Sequence, residues 1–471
     1  MIRLLRFIFC VLLLSGALFA SAFPLNVKGV DTLNTTIVIR DLRLGTDLVN
    51  VNSDRPLIPA SITKAVTTAS LLNIASPDEC FVTPVVALGT VKDSVLTGDI
   101  VVKASGDPTI ESRFFPETAG FADSIAHALS VLGVKRVKGR IVIDESDFPD
   151  ATTPPGWMEE DLVYPYGTRL HGANFRDNRF VLSLPSGGSS PKVPDIKVKY
   201  SPRKGRGVKI SRKDGSEVFD VSGSRRATSE SVAMPYPAKA MRQEITDRLA
   251  SYGISVEGND VKNSDQCTLL YSHRSPALAD IMRSLMFHSD NMMAEATLRA
   301  LTPGRTRKEA LAEQSQIWAD LALVPYKVNL VDGSGLSRND RLTGRFMMSL
   351  LQAMSLGEQG RTYQTLFPRA GLEGTLKYFL AETPLEGLVA MKTGSMKGVQ
   401  SYAGYLFDEE TGRPTHAIVF IANDFRCSRS ALKGAFQRLL LNLFVPQEQI
   451  ETNENFQDNE TRLLPADQEN D

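Results

Sequence analysis

Histidine is scarce in this chain, and its scarcity excludes the commonest kinds of metal enzyme. Only five of the 471 residues are histidine, and none lies in an H-E-x-x-H motif or in a Cys/His cluster. Transition metals are held mainly by such groups, so the sequence predicts no metal ion and no other cofactor. A strong charge of one sign is also lacking, because 53 basic residues face 54 acidic ones and the formal net charge is −1. Nothing therefore indicates a nucleic-acid partner.

Long apolar runs are missing too, apart from one stretch at the amino terminus. Two arginines precede the segment FIFCVLLLSGALF, which is shorter than a typical transmembrane span. The sequence Ala-Ser-Ala follows and matches a signal-peptidase site, so residues 1–22 are predicted to be a signal peptide that is cleaved after Ala22. We therefore expect an exported protein, in a periplasm or elsewhere in a bacterial envelope. An uncleaved N-terminal anchor is the alternative.

Cysteine is rare after this predicted cleavage, and the three that remain are Cys80, Cys267 and Cys427. Export permits disulfides, but an odd number allows at most one internal bridge. Cys80 and Cys267 form the more interesting pair, because both lie near predicted domain joints. Free buried thiols are equally consistent with the sequence, so the pairing stays open.

Strand and helix patterns are distributed unevenly and indicate an α+β protein whose main domain is split. Two strands and a helix near Ser61 come first, and helices followed by three strands return after residue 273. Short β-rich runs dominate in between. The predicted divisions are a split domain of residues 23–82 and 273–445, a mainly β insert of 83–272 with two nested subdomains, and an acidic, disordered tail of 446–471.

The stretch IPASITKAVTTASLL places Ser61 and Lys64 at the start of the first predicted helix. Helix capping is the simpler interpretation of Ser61. However, a capping box needs Glu or Gln where Lys64 stands, and a cation in the first turn opposes the helix dipole. Residues three apart on a helix lie side by side, so Lys64 can reach the Ser61 hydroxyl. A lysine whose pKa is lowered can be the base that activates a serine nucleophile.

Two further motifs favour catalysis. Residues from Ser289 to Asn291 read S-x-N between two predicted helices. Residues 392–394 read K-T-G in a predicted strand, where Lys392 shares a face with apolar residues and its charge needs a specific reason. Gly394 leaves room for another extended backbone along this strand. The S-x-x-K spacing alone is weak, because it recurs at Ser189/Lys192, Ser201/Lys204 and Ser430/Lys433.

The three motifs together resemble those of a known family. Their order, S-x-x-K then S-x-N then K-T-G, is typical of penicillin-recognising serine enzymes. From Thr32 to Phe444 the chain resembles the class C low-molecular-mass penicillin-binding proteins, the S13 D-alanyl-D-alanine carboxypeptidase/endopeptidases, and SGDPTI, HSDNMMAE and DGSGLSR match as well. The resemblance implies a serine β-lactamase/penicillin-binding-protein-like transpeptidase fold: a five-stranded antiparallel sheet with flanking helices, a helical lobe and a large, mainly β insert.

The resemblance also implies a reaction. The substrate is a peptidoglycan stem peptide ending in D-Ala-D-Ala, and β-lactam antibiotics are covalent inhibitors. Ser61 attacks the penultimate carbonyl with Lys64 as its base, and Ser289 relays the proton to the leaving D-alanine. The other implied roles are substrate binding by Asn291, Lys392, Thr393 and Gly394, and an oxyanion hole made by the backbone N–H groups of Ser61 and Ser395. The sequence does not predict an oligomeric state.

Two alternatives use the same fold. A serine β-lactamase needs a dedicated base for deacylation, and no convincing E-x-x-L-N segment of the class A kind occurs. A non-catalytic wall-binding protein is expected to have lost a motif residue, and none is lost. The sequence does not distinguish carboxypeptidase from endopeptidase activity, because these differ only in the leaving group.

Overall fold

The computed structural model describes residues 23–25, 27–203, 207–223, 227–261 and 266–446. The predicted signal peptide lies outside these residues, as does the predicted tail except for its first residue. The chain divides into two compact units, Asn34–Asn423 and a unit made of residues 1–33 and 424–471. The predicted boundaries of the split domain and the insert stay predictions. Within the described part of the chain, no helix has the length and apolar character needed to cross a bilayer.

The described residues form the following helices and strands. The α-helices are α1 (Thr63–Leu72), α2 (Phe121–Val131), α3 (Pro237–Ser251), α4 (Leu278–His288), α5 (Asn291–Arg299), α6 (Arg307–Asp320), α7 (Gly344–Leu356), α8 (Gly360–Thr365) and α9 (Arg429–Phe444). The strands are β1 (Thr35–Asp41), β2 (Thr46–Val51), β3 (Val82–Lys92), β4 (Val95–Lys103), β5 (Arg136–Val137), β6 (Ile141–Asp144), β7 (Arg179–Leu184), β8 (Ser189–Ser190), β9 (Lys197–Pro202), β10 (Val208–Ser211), β11 (Val218–Gly223), β12 (Thr228–Ala233), β13 (Ser255–Val256), β14 (Cys267–Arg274), β15 (Val389–Met396), β16 (Val399–Phe407) and β17 (Pro414–Asn423).

A five-stranded antiparallel sheet in the order β15-β16-β17-β1-β2 forms the base of the larger unit. The K-T-G motif lies on β15, an edge strand of this sheet. All nine residues of β16 are buried, including the polar Gln400 and Ser401, so both faces of this central strand are covered. The sheet and its helices confirm the predicted fold class.

Helix α1 is the centre of the helical part of this unit, and it packs against α4, α5, α6, α7 and α8. All ten of its residues are buried. Small side chains such as Ala65 and Ala69 let neighbouring helices approach from several sides, and the buried hydroxyls of Thr68 and Ser70 donate to carbonyls one turn earlier. The helix ends at Leu72, and Asn73 is its C-cap.

The inserted region has a hydrophobic core of its own. Buried apolar residues of α2 and α3 pack with those of a six-stranded sheet, in which β13-β5-β4-β3-β14 are ordered side by side and β6 pairs with β4. Two three-stranded sheets, β10-β11-β9 and β12-β7-β8, contribute to the same core. This region is mainly β, as the sequence predicted.

The smaller unit contains α9, whose first turn is capped by the Ser428 hydroxyl accepting from the Ala431 N–H at 3.1 Å. In the same unit, the Arg426 N–H donates to the Gly29 carbonyl at 2.7 Å. The three described cysteines are free thiols, so the open question about Cys80 and Cys267 is answered in favour of separate thiols in this structure.

Candidate active site

Ser61 lies in a 3₁₀ turn, Ala60–Ile62, that leads directly into α1. Ala60 has a left-handed backbone with φ of 50°, a conformation that is costly for a residue with a Cβ. The N-cap of α1 is Ile62, and no side chain caps this helix. Ser61 is therefore not a helix cap, and the simpler interpretation of this serine is wrong.

Two glycines hold this turn in place because neighbouring backbones approach closely. A Cβ on Gly394 of β15 would lie 2.8 Å from the Pro59 carbonyl oxygen and 2.9 Å from the Ser61 nitrogen. A Cβ on Gly335 would lie 2.0 Å from the Ala60 oxygen. The sequence suggested that Gly394 makes room for another extended backbone. The structure shows that the protein's own turn at Ser61 uses that room.

Lys64 lies fully buried beneath Ser61. Its Nζ is 3.0 Å from Ser61 Oγ, 2.6 Å from Asn291 Oδ1 and 2.7 Å from the Ser334 carbonyl oxygen. The last two atoms can only accept hydrogen bonds. In the neutral amine they hold both N–H groups, so the lone pair points at the Ser61 hydroxyl, which then donates to it.

Burial lowers the pKa of Lys64 to about 8, and the carboxyl groups of Asp332, Asp290 and Glu295 act in the opposite direction. Burial is therefore the physical cause of the lowered pKa of this lysine. The repulsion between the two lysines is seen at Lys392, where burial and then the charge of Lys64 lower the pKa well below its usual range.

The S-x-N motif lies where α4 gives way to α5. Ser289 ends α4 with a left-handed backbone, φ 56°, and Asp290 caps α5 by accepting from the Met293 N–H at 2.8 Å. This sharp reversal turns Ser289 toward β15 and Asn291 toward α1. Asn291 Nδ2 donates to the Tyr166 carbonyl at 2.8 Å, so its side chain is fixed at both ends.

Lys392 crosses from β15 to the same reversal. Its Nζ donates to Ser289 Oγ at 2.9 Å and to the Thr393 carbonyl at 2.8 Å, and its side chain is fully buried. The Thr393 hydroxyl donates to the Thr375 hydroxyl at 2.8 Å. Two lysine–serine pairs, Lys64 with Ser61 and Lys392 with Ser289, thus lie in one cleft between the sheet and the helices.

The outer edge of β15 supplies backbone N–H groups next to Ser61. On this edge, away from β16, the Met391 N–H donates to the Pro368 carbonyl, and the Val389 carbonyl accepts from the Ala370 N–H. Strand alternation directs the N–H of Ser395 to the same edge. Because Gly394 contacts the Ser61 nitrogen, the N–H groups of Ser61 and Ser395 lie in one neighbourhood.

The structure brings the residues predicted for the site into this cleft, and it adds others that the sequence reasoning missed. The additional groups are the carbonyls of Tyr166 and Ser334 and the Thr375 hydroxyl. Ser334 was noted only as part of a matching segment. A main-chain carbonyl leaves no mark on residue type, so no sequence pattern could have assigned its contact with Lys64.

Comparisons with known proteins agree with this geometry. Residues 29–439 match the model of the D-Ala-D-Ala carboxypeptidase 3 (S13) family. A D-alanyl-D-alanine carboxypeptidase from Haemophilus influenzae is 25% identical over 402 residues, covering 79% of this chain and 82% of that protein. A D-alanyl-D-alanine carboxypeptidase from Actinomadura sp. (strain R39) is 26% identical over 408 residues, covering 79% and 74%.

The fold has solved counterparts. The crystal structure of penicillin-binding protein 4 from Haemophilus influenzae superposes with a TM-score of 0.75 at 24% identity, covering 89% of this chain and 98% of that one. The same protein has been solved in complex with a β-lactam, with a TM-score of 0.72, 23% identity and the same coverage. The matched family model spans most of the chain, and the three motifs meet in one cleft. The chain therefore belongs to the D-Ala-D-Ala carboxypeptidase 3 (S13) family and is a serine peptidase of the penicillin-binding kind.

Proposed function

We propose that this protein hydrolyses the D-Ala-D-Ala end of peptidoglycan stem peptides, as a carboxypeptidase, an endopeptidase or both, through an acyl-enzyme on Ser61. The contact between Lys64 Nζ and Ser61 Oγ carries this proposal. A serine hydroxyl is a weak nucleophile without an adjacent base. Here the base is buried, its pKa is lowered to about 8, and two acceptors fix its orientation.

In the acylation step, neutral Lys64 takes the Ser61 proton while Oγ bonds to the carbonyl carbon of the penultimate D-alanine. The carbonyl oxygen becomes an oxyanion in the tetrahedral intermediate. The N–H groups of Ser61 and Ser395 donate to this oxyanion, and one such donor contributes about 3 kcal/mol in comparable acyl transfers. Because these donors belong to a rigid turn and an edge strand, little reorganisation is required when the charge develops.

Collapse of the intermediate breaks the C–N bond, and the leaving nitrogen needs a proton. Ser289 Oγ relays a proton to this nitrogen from the Lys64 ammonium, which returns to the neutral amine, and Lys392 Nζ, 2.9 Å from Ser289 Oγ, orients the relaying hydroxyl. Asn291 binds the substrate backbone and keeps Lys64 in place. In deacylation, neutral Lys64 takes a proton from water as the water oxygen bonds to the ester carbonyl carbon, and returns it to Ser61 Oγ as the ester C–O bond breaks and the shortened peptide leaves.

The terminal carboxylate of the substrate is bound at β15. In its ammonium form Lys392 attracts the carboxylate, and the Thr393 hydroxyl, together with its partner Thr375, donates hydrogen bonds to it. β-Lactams present a carboxylate and a strained amide in a similar arrangement, so they acylate Ser61 and leave slowly. The β-lactam complex of the Haemophilus influenzae protein supports this part of the proposal.

We place the mature protein in a periplasm or elsewhere in the bacterial envelope, after cleavage behind Ala22. The support is the amino-terminal sequence with its two arginines, apolar segment and Ala-Ser-Ala site. Mass spectrometry of the protein recovered from a cell envelope should find Phe23 at the amino terminus. A chain that keeps residues 1–22 would instead be anchored through them.

The central test of the proposal is covalent labelling with a fluorescent penicillin. The wild-type protein should be labelled, and Ser61→Ala should not, while its circular dichroism stays unchanged. Ser430→Ala is the matched control, since Ser430 and Lys433 repeat the S-x-x-K spacing on α9. Equal labelling of wild type and Ser61→Ala would remove Ser61 from the mechanism.

Incubation with uncross-linked and cross-linked muropeptides, followed by mass analysis, assigns the leaving group. Loss of one alanine mass indicates carboxypeptidase activity, and separation of cross-linked dimers indicates endopeptidase activity. Rapid, repeated turnover of a chromogenic cephalosporin without peptide hydrolysis would make the protein a β-lactamase instead. Wall binding without labelling would make it a non-catalytic binding protein.

A further inference from the structure

A group of buried carboxyl groups lies near Lys64, and the mechanism above does not use it. Asp332 and Asp340 belong to the loop of residues 331–340, and Glu295 belongs to α5. All three are buried, with exposed fractions of 0% for both aspartates and 3% for the glutamate. Burying ionisable groups is costly unless they are hydrogen-bonded or paired, so each of them needs a physical reason.

The two aspartates are explained by the loop itself. Asp332 accepts from the N–H groups of Gly335 and Ser337 at 2.7 and 2.8 Å, and from Trp157 Nε1 at 2.7 Å. Asp340 accepts from the Val331 N–H at 2.8 Å. Burial and the neighbouring Asp332 raise the pKa of Asp340 well above its usual range.

Glu295 has fewer partners and a different location. Its Oε1 accepts from the Gly333 N–H at 2.9 Å, whereas Oε2 is buried and accepts no hydrogen bond from the described residues. The Ser334 hydroxyl is near enough to stabilise the ionised form. A carboxyl group with one firm partner is poorly stabilised as an anion, so its charge can change within the range of pH at which the protein works.

The contacts of Glu295 lead to both acceptors that orient Lys64. Glu295 is one helical turn beyond Asn291, whose Oδ1 lies 2.6 Å from Lys64 Nζ. Through Gly333, Glu295 also holds the backbone next to Ser334, whose carbonyl lies 2.7 Å from the same Nζ. A single carboxyl group therefore supports the environment of the base from two directions.

We propose that Glu295 is a positioning residue that sets the charge on Lys64, and this inference rests on the function proposed above. When Glu295 is ionised, it favours the ammonium form of Lys64 and stabilises the cation that forms as Ser61 gives up its proton. When Glu295 is protonated, the neutral amine is favoured. Control of the base thus comes from a group that never touches the substrate.

Several other charged groups act on Glu295 and Lys64. Lys64 on α1 and Arg307 at the start of α6 favour ionised Glu295, while Asp332 opposes it. Arg299 on α5 and Asp340 also interact with the Glu295 charge. Burial dominates and raises the pKa of Glu295 to about 7, close to that of Lys64, so both groups exchange protons over the same range of pH.

The experiment measures the second-order rate constant for acylation by a fluorescent penicillin between about pH 5.5 and 9.5, with the full chain. Glu295→Gln keeps an acceptor for the Gly333 N–H and removes the charge. The acidic limb of its profile should move down by roughly one pH unit. A unit charge about 10 Å away shifts a pKa by about this amount at an effective dielectric constant near 20. The plateau rate should fall several-fold, because the resulting base is weaker.

Asp107→Asn is the matched control, since Asp107 is an equally buried acid outside this site, and its profile should coincide with wild type. Ser334→Ala, which removes a hydroxyl that stabilises ionised Glu295, should move the limb in the same direction by a smaller amount. If Glu295→Gln lowers the melting temperature and leaves the limb in place, Glu295 only supports the loop and the inference is overturned. If Glu295→Gln does not fold, an unmoved limb in Ser334→Ala overturns it. Unlabelled wild type would refute the proposed function instead.

Discussion

Glu295, beside Lys64, and Asp107, in the inserted region, are two buried acids that can be compared directly. Burial raises the pKa of Glu295 to about 7 and that of Asp107 to about 6. Asp107 accepts from the Thr109 N–H and hydroxyl, and its other oxygen lies 3.5 Å from His273 Nε2. Burial lowers the pKa of His273 to about 4, so the imidazole is uncharged near pH 7.

The difference lies in what surrounds each acid and not in the size of the shift. Glu295 accepts from the Gly333 N–H, next to the Ser334 carbonyl that holds Lys64, and Lys64 Nζ lies 3.0 Å from the Ser61 hydroxyl. Asp107 and His273 contact a turn and the edge of the Phe121 ring, with ring centroids 5.6 Å apart. A perturbed pKa alone therefore indicates only that a group is buried. A buried acid whose contacts also lead to a nucleophile indicates a catalytic site.

The largest effect is expected from removing the base. Lys64→Met keeps the length and burial of the side chain but cannot take the Ser61 proton, so the acylation rate should fall by about 10²–10⁴-fold. The rate of covalent penicillin labelling measures this directly. Lys103→Met, which removes only an exposed ion pair with Asp144 in the inserted region, should leave the rate unchanged. A Lys64→Met protein that is labelled at the wild-type rate would show that another group is the base.

The pH dependence of acylation is the next largest effect. Lys64 has a pKa of about 8 and acts in its neutral form, so the rate should rise by more than about tenfold between pH 6 and 8 and then level off. The group loses a proton to become active, so the rate increases with pH. A limb with its midpoint near 6.5 would instead indicate a histidine, and would contradict the role of Lys64.

Crowding around the Ser61 turn predicts a smaller loss. Gly335 has φ of 77°, and a Cβ there would meet the Ala60 oxygen, whereas Gly133 in the inserted region has φ of 71° and open space around it. Both substitutions by alanine introduce backbone strain of about 1 kcal/mol. Only Gly335→Ala should displace Ser61, with a loss of labelling rate of about tenfold or more, since small displacements of reacting groups are costly. Equal rates for the two variants would show that the contact does not position the nucleophile.

The smallest effect concerns stability without activity. The ionised form of Asp107 is disfavoured by burial, so Asp107→Asn should increase the free energy of unfolding at pH 7 by about 1–2 kcal/mol. A raised carboxyl pKa destabilises the fold most above that pKa, so the gain should shrink as the pH falls below about 6 and vanish only near the ordinary carboxyl pKa of 3.8. Urea denaturation at pH 5 and pH 7.5 measures both values. An equal gain at the two pH values would show that charge is not its cause.

Much of the site could be read from the sequence because chemistry there depends on side chains at fixed spacings. Ser61 and Lys64 are three residues apart on a helix, and Lys392 is a charge in an apolar strand, so each carried a local signal. The contribution of Ser334 could not be predicted, because a carbonyl group is common to all residues. The role of Gly394 was only partly foreseen, since its close neighbour is a turn more than three hundred residues earlier in the chain.

The fold followed the sequence less completely among the helices. Helix α7 was not predicted, although Arg345, Ser349 and Gln352 recur on one face at helical spacing and seven of its thirteen residues are buried. Helix α1 ends at Leu72, where the Asn73 side chain donates to the Ala69 carbonyl. The residue at which a helix ends depends on local capping of this kind, which hydrophobic periodicity alone does not show.

The position of β1 in the main sheet has a consequence for how the enzyme comes into being. This strand lies between β17 and β2, so its register joins Thr35 to Ala422, residues near opposite ends of the larger unit. Pairings over such a distance form late, because a long loop must be closed before they can stabilise anything. A nascent or truncated chain therefore carries its nucleophile long before it can react, and reactivity becomes a property of the finished polypeptide.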